Sequence, residues 1–235
     1  MTLPVAILAG GLATRLRPLT ERIPKVLVEV AGKPFVEHQL ELLRRYGIKR
    51  VVLCVGYLGE MVEAALGDGA RWDLDLKYVY DGKILLGTGG ALRRALPLLG
   101  ERFLILYGDA YLRCDYAAIG EAFTASGKRG LMTIFRNVNR WDRSNILFSE
   151  GKIVRYDKQH PTPEMEYIDY GLGALQAKVL DDYPADVPVD LAMIYQDLVA
   201  QKELAGYEVT ERFYEIGSPV GLEETRQYFQ MEGKK

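Results

Sequence analysis

At 235 residues, 49% hydrophobic and 26% charged, the chain can bury a substantial core, and its two distant cysteines exclude a disulfide scaffold. A formal net charge of −2 excludes a general nucleic-acid binder while leaving room for a local basic pocket that holds a small anion. The opening stretch has no basic leader, and its apolar run is too short to span a bilayer, so the expectation is a cytoplasmic protein with no membrane partner.

Val5 to Ala9 is a short apolar run that stops at Gly10-Gly11, as a buried strand feeding a loop of tight backbone does. Pro34 to Tyr46 carries Phe35, Leu40, Leu42, Leu43 and Tyr46 at helical spacing, with Gly47 as its stop. Strands are then predicted at 50–55, 74–80 and 103–107, and helices at 58–66 and 88–98. Such alternation implies right-handed crossovers and a parallel sheet covered on both faces, so the class is α/β with a Rossmann-like, mostly parallel sheet. After a helix over 115–125 the pattern changes. Strand-like stretches at 130–136, 145–148, 152–157 and 167–175 precede helices at 190–202 and 219–229, with short strands near Tyr207 and Phe213. With no repeat or linker, the chain reads as a single domain, 1–235, whose mixed second half packs on the same sheet.

Open parallel sheets bind ligands outside the carboxyl ends of their strands, so the loops there are the places to look. The first runs from Gly10 to Thr20 and on to Pro24-Lys25. Its glycines let backbone N–H groups approach a nucleotide, while Thr14, Arg15 and Lys25 offer a hydroxyl and two cations to phosphate oxygens. A plain glycine turn with solvated basic residues gives the same pattern. Neither G-x-G-x-x-G at this loop nor G-x-x-x-x-G-K-[ST] anywhere is present. The second loop, Leu86-Gly87-Thr88-Gly89-Gly90, opens a helix; it suits close approach to a base or ribose with the helix N-terminus open to anions, or else a helix start capped by Thr88. The third, Tyr107-Gly108-Asp109, puts a carboxylate at the end of the strongest apolar strand, where it can hold Mg²⁺ if a second acid joins it. Glu215, at the end of a short strand, is the best candidate for that acid. His38 and His160 are distant and outside any H-E-x-x-H, against a zinc hydrolase.

Together these segments resemble the sugar-1-phosphate nucleotidyltransferases, whose opening signature is an apolar strand, G-G-x-G-T-R-L-x-P-L-T, P-K and then G-K-P. Here it stands as Leu8-Ala9-Gly10-Gly11-Leu12-Ala13-Thr14-Arg15-Leu16-Arg17-Pro18-Leu19-Thr20, Pro24-Lys25 and Gly32-Lys33-Pro34, and the likeness extends to Gly87-Thr88-Gly89-Gly90, Gly108-Asp109 and Ile216-Gly217-Ser218-Pro219. The resemblance implies that Arg15 and Lys25 hold the triphosphate, that Leu8, Ala9, Gly10, Gly11, Gly87 and Thr88 meet the nucleoside, and that Asp109 binds Mg²⁺, with Arg15, Lys25 and Asp109 the catalytic set. It places Lys158 on the sugar phosphate and Asp157 and Asp169 beside the sugar, so that 1–128 forms the nucleotide-binding half and 129–235 the sugar-binding half.

Four positions depart from the pattern. Ala13 replaces a glycine, which fits if its backbone keeps a negative φ. Glu215 stands for the usual second metal-binding aspartate, Asp157 for a glutamate and Asp169 for an asparagine. The implied reaction moves a nucleoside monophosphate from a nucleoside triphosphate, GTP or UTP foremost, to a sugar 1-phosphate of the heptose, mannose, glucose or N-acetylmuramate kind, and releases pyrophosphate. The alternatives are a phosphocholine cytidylyltransferase and a non-catalytic regulator of the same fold that binds nucleotide-sugar. A homo-oligomer is left open.

Overall fold

Period-two alternation sends successive side chains of β1 (Val5–Ala9) to opposite faces, and both faces are covered. Val5 and Ile7 join one buried cluster while Ala6 joins another on the far side, all at 0% exposure. Full burial of a side chain such as Ile7 stabilises by about 1.5–3 kcal/mol, which is why this run is fixed as the central strand.

The computed structural model describes residues 2–233. After β1, a loop of three single-turn 3₁₀ segments leads to a small ribbon, β2 (Glu29–Val30) with β3 (Lys33–Pro34), and then to α1 (Phe35–Arg45). The chain continues through β4 (Arg50–Val55), α2 (Gly59–Leu66), β5 (Asp75–Tyr80), α3 (Gly87–Leu99) and β6 (Arg102–Tyr107). β7 (Ala110–Tyr111), α4 (Tyr116–Ser126), β8 (Gly130–Arg136), β9 (Ile146–Ser149), β10 (Lys152–Tyr156) and β11 (Tyr167–Gln176) follow. The last elements are α5 (Leu191–Ala200), β12 (Leu204–Val209), β13 (Tyr214–Glu215) and α6 (Pro219–Glu232).

β1 pairs in parallel with β4 and with β6, and β4 in parallel with β5, so the order β5-β4-β1-β6 reverses direction of progress at β1. That reversal leaves a crevice beyond the carboxyl ends of β1 and β6, where Gly10 and Asp109 lie. β11 runs antiparallel between β6 and β8, β12 adds to β8 in parallel, and the β9–β10 hairpin attaches near Tyr167. The second half thus extends the same sheet with mixed pairing, as its strand-like stretches implied. No helix among the described residues is long and apolar enough to cross a membrane.

A third buried cluster, including Leu16, Val30, Phe35, Leu42, Tyr111, Ile216 and Leu222, fastens α6 and the second ribbon, β7 with β13, over the crevice.

Candidate active site

β1 and β6 end side by side, and the backbone crosses between them: Gly108 N donates to Leu8 O at 3.0 Å. Gln39 of α1, 1% exposed, braces the turn that follows, its Nε2 donating to Tyr107 O at 3.1 Å and Ala110 O at 2.7 Å. This turn presents Asp109. The β7–β13 ribbon sets Glu215 opposite Ala110, and Ile216 N donates to Asp109 O at 2.9 Å, so residues far apart in sequence face each other.

A Cβ on Gly217 would stand 2.8 Å from Asp109 Oδ2, 2.8 Å from Glu215 Oε2 and 3.1 Å from Arg15 Nη2. Two carboxylates and a guanidinium therefore converge on one point. Lys25 Nζ donates to Asp109 Oδ2 at 2.6 Å. Burial pushes the Asp109 carboxyl up, but Lys25, its own backbone and Arg15 outweigh this and hold it below the ordinary value. Glu215 lies the other way: burial raises it, the Asp109 charge adds to this, and the Ser218 hydroxyl at 2.6 Å, the Gly217 amide and Arg15 only partly offset it. Gly221 is required beside it, since a Cβ there would overlap Glu215 Oε1.

Two cavities meet at this cluster and share Tyr107 and Asp109. The first, of about 290 Å³, is lined by Leu8, Ala9, Gly10, Gly11, Lys25, Gly87, Thr88 and Asp109 among others, which brings together the residues expected to meet the nucleotide except Thr14 and Arg15. The second, of about 560 Å³, holds Arg15, Lys158, Asp169 and Glu215 together with Trp141 and Arg212. Asp169 Oδ2 receives the phenol hydroxyls of Tyr107 at 3.4 Å and Tyr156 at 3.3 Å, and Lys158 Nζ stands 3.4 Å away. Burial raises both phenols far above their ordinary value, so they remain donors.

Several expectations need correction. Ala13 has φ 48° and ψ 43°, not a negative φ; the Thr20 hydroxyl, 1% exposed, donates to its carbonyl at 2.8 Å and holds it there. Thr14 is exposed and lines neither cavity. Asp157 does not reach the second cavity: it accepts from Gln159 N at 3.0 Å, His160 N at 2.8 Å and Arg155 Nη2 at 2.9 Å, holding the turn that carries Lys158. The start of α3 is only partly open to anions, because the amides of Gly89 and Gly90 donate to Val189 O at 2.8 and 3.3 Å. Thr88 does not cap its own helix; its hydroxyl accepts from Leu191 N at 2.7 Å and donates to Asp190 at 3.0 Å, tying α3 to α5.

Sequence reasoning passed over Gln39, Tyr107, Trp141, Arg212 and Asp81. Asp81, 5% exposed, directly follows β5 and lines the first cavity, with Oδ2 accepting from Leu86 N at 3.2 Å. The rule that singled out Asp109, a carboxylate at a strand's carboxyl end, applies to it equally. Burial raises its carboxyl, against the Leu86 amide and the Arg94 charge.

Residues 5–144 match the sequence model of the family described as nucleotidyl transferase. The chain belongs to the nucleotidyl transferase family. This transferase is 29% identical over 226 residues to the N-acetylmuramate alpha-1-phosphate uridylyltransferase of Neisseria meningitidis serogroup B, covering 94% of this chain and 95% of that one. It is 28% identical over 218 residues to the mannose-1-phosphate guanylyltransferase catalytic subunit beta of Drosophila melanogaster, covering 91% of this chain but only 59% of the longer relative. A Bacillus anthracis protein crystallised with sucrose shares the fold at a TM-score of 0.85 and 21% identity, over 96% of this chain and 94% of the other. The expected class, a sugar-1-phosphate nucleotidyltransferase with a mostly parallel α/β sheet, is met by family and fold together.

Proposed function

We propose that the two cavities hold the two halves of one reaction: a nucleoside triphosphate in the first, and in the second a sugar 1-phosphate whose phosphate oxygen attacks the α-phosphorus, displacing pyrophosphate. The observation that carries this is the shared wall at Tyr107 and Asp109, with Arg15, Lys25 and Glu215 gathered beside it.

The barrier to be removed is repulsion between two anions, since two like unit charges about 4 Å apart oppose each other by about 4 kcal/mol at an effective dielectric near 20. Lys25 and Arg15 lie where triphosphate oxygens would be neutralised, and Lys158, over the Tyr107 ring at 5.2 Å, where the acceptor phosphate would be. The acceptor oxygen is already ionised, so no general base is required, and both histidines stand outside either cavity's lining.

Asp109 and Glu215 fit a hard cation. Two carboxylates converge on one point, where the Asp109 charge helps raise Glu215, and oxygen is the donor Mg²⁺ prefers. Among the described residues no group of three or more His, Cys, Asp or Glu is poised for a metal, so phosphates and water would complete the shell. Mg²⁺, when bound, would supply charge neutralisation at the phosphates. Asp109 and Glu215 would hold it, while Ser218 and the Gly217 amide keep Glu215 aimed inward.

Pyrophosphate release, measured with each of four nucleoside triphosphates against heptose, mannose, glucose and N-acetylmuramate 1-phosphates and phosphocholine, tests the reading. Release with one pair names the substrates; nucleotide-sugar binding without release from any pair would instead make the protein a regulator.

A further inference from the structure

The first cavity contains a carboxylate that phosphate chemistry does not need. Asp81 is buried between the loop after β1 and the start of α3, far from any phosphate role because an anion there would repel phosphate. Its Oδ2 is fixed by Leu86 N and sits 3.3 Å from where a Cβ on Gly10 would be. Its Oδ1 accepts from no donor among the described residues, and Asp81 lines the cavity. Arg94 does not pair with it: that guanidinium is held by the carbonyls of Tyr80 and Asp81 and by Asp186.

Three backbone amides beside it are already engaged. The amides of Leu86, Gly89 and Gly90, which would otherwise read carbonyl oxygens of a base, are occupied by Asp81 and Val189. The Asp81 carboxylate is the side-chain acceptor left at this end of the cavity.

We propose that Asp81 selects guanine, by accepting hydrogen bonds from N1–H and the N2 amino group of a guanine base seated in the first cavity. Guanine has two adjacent donors on one edge. Uracil offers N3–H flanked by two carbonyls whose lone pairs would face the carboxylate, while adenine and cytosine each set a ring acceptor beside their amino group. A site built around a buried acceptor rejects a base that leaves it unpaired. The inference rests on the proposed nucleotidyl-transfer reading and chooses between GTP and UTP within it.

The test is equilibrium binding by calorimetry, with Mg²⁺ and no acceptor, of GTP, UTP, inosine triphosphate and xanthosine triphosphate to the whole protein and to Asp81→Asn. The expected result is GTP bound about tenfold or more tighter than UTP and than inosine triphosphate, which lacks the N2 amino group. In Asp81→Asn the preference for GTP over inosine triphosphate collapses, and xanthosine triphosphate, with a carbonyl in place of the amino group, gains affinity from the new amide donor. Wild-type protein that binds UTP as tightly as GTP, or inosine triphosphate as tightly as GTP, overturns the proposal and leaves the transfer reaction standing. Failure to bind any of the four overturns both. Should Asp81→Asn not fold, the wild-type comparison still decides.

Discussion

An alanine at φ 48° keeps its Cβ close to the following carbonyl, a conformation that costs an L-residue about 1–2 kcal/mol. Ala13 is held there by Thr20, and the turn it makes swings Arg15 toward Asp109 and Glu215. Ala13→Gly should therefore stabilise the protein by up to about 1 kcal/mol after the added freedom of the unfolded glycine is subtracted, read as a Tm a few degrees higher. Arg15 is exposed and makes no ion pair among the described residues. Arg15→Ala should lower turnover about a hundredfold or more while leaving Tm within about a degree. Normal turnover by the folded variant would remove Arg15 from the mechanism. The loop was legible in the sequence as a glycine turn carrying basic side chains; the left-handed backbone at Ala13 was not, because alanine gives no signal for it.

α3 and α5 are locked at their starts rather than merely adjacent. Added methyl groups at Gly89 and Gly90 would lie 2.8 Å from Ile194 Cδ1 and 3.0 Å from Val187 O, and the Thr88 hydroxyl bridges to Asp190 and Leu191 N. Gly89→Ala and Gly90→Ala should each destabilise by about 1–3 kcal/mol through overpacking, seen as a lower urea midpoint. The glycines of this segment were visible as a helix start needing close approach, but what approaches is a segment a hundred residues on, and a local pattern cannot name a distant partner. The same holds for Gln39: one polar residue on an apolar helix face reads as core until the carbonyls of Tyr107 and Ala110 are brought to it. The bounds of β4 and β8 match the sequence pattern to the residue, because a continuous apolar run is a local signal.

For the molecule as a whole, acid and base limits follow from the site. Glu215 has a raised folded-state pKa, so the native state binds more protons than the unfolded chain between the ordinary glutamate value and the raised one. Its contribution to stability is thus fully present below the ordinary value and is lost as pH rises through the folded one. Glu215→Gln keeps an acceptor for Gly217 N and gains a donor toward Ser218, so without metal it should raise Tm at neutral pH and flatten the pH dependence of Tm over that window, while abolishing pyrophosphate release. An unchanged pH profile would show that Glu215 titrates normally. The α/β class and the change to mixed pairing after β6 were legible in the sequence, since buried parallel strands and glycine loops have strong patterns, whereas the strand order was not. Nor was the pairing of β7 with β13, although a short strand ending at Glu215 is expected, because two-residue strands paired across half the chain leave no periodicity to read.

That ribbon also sets a schedule. Every residue named in the lining of the first cavity precedes Ala110, whereas Glu215, Gly217 and the clamp of Thr225 on the Glu215 carbonyl at 2.8 Å lie near the far end of the chain. A chain emerging amino-terminus first has its parallel strands and the residues of the first cavity early, yet Val189, which braces the start of α3, comes later, and the second carboxylate is delivered only when α6 docks on Tyr111 and Leu42. The Asp109–Glu215 pair is thereby the last part of the site to be assembled.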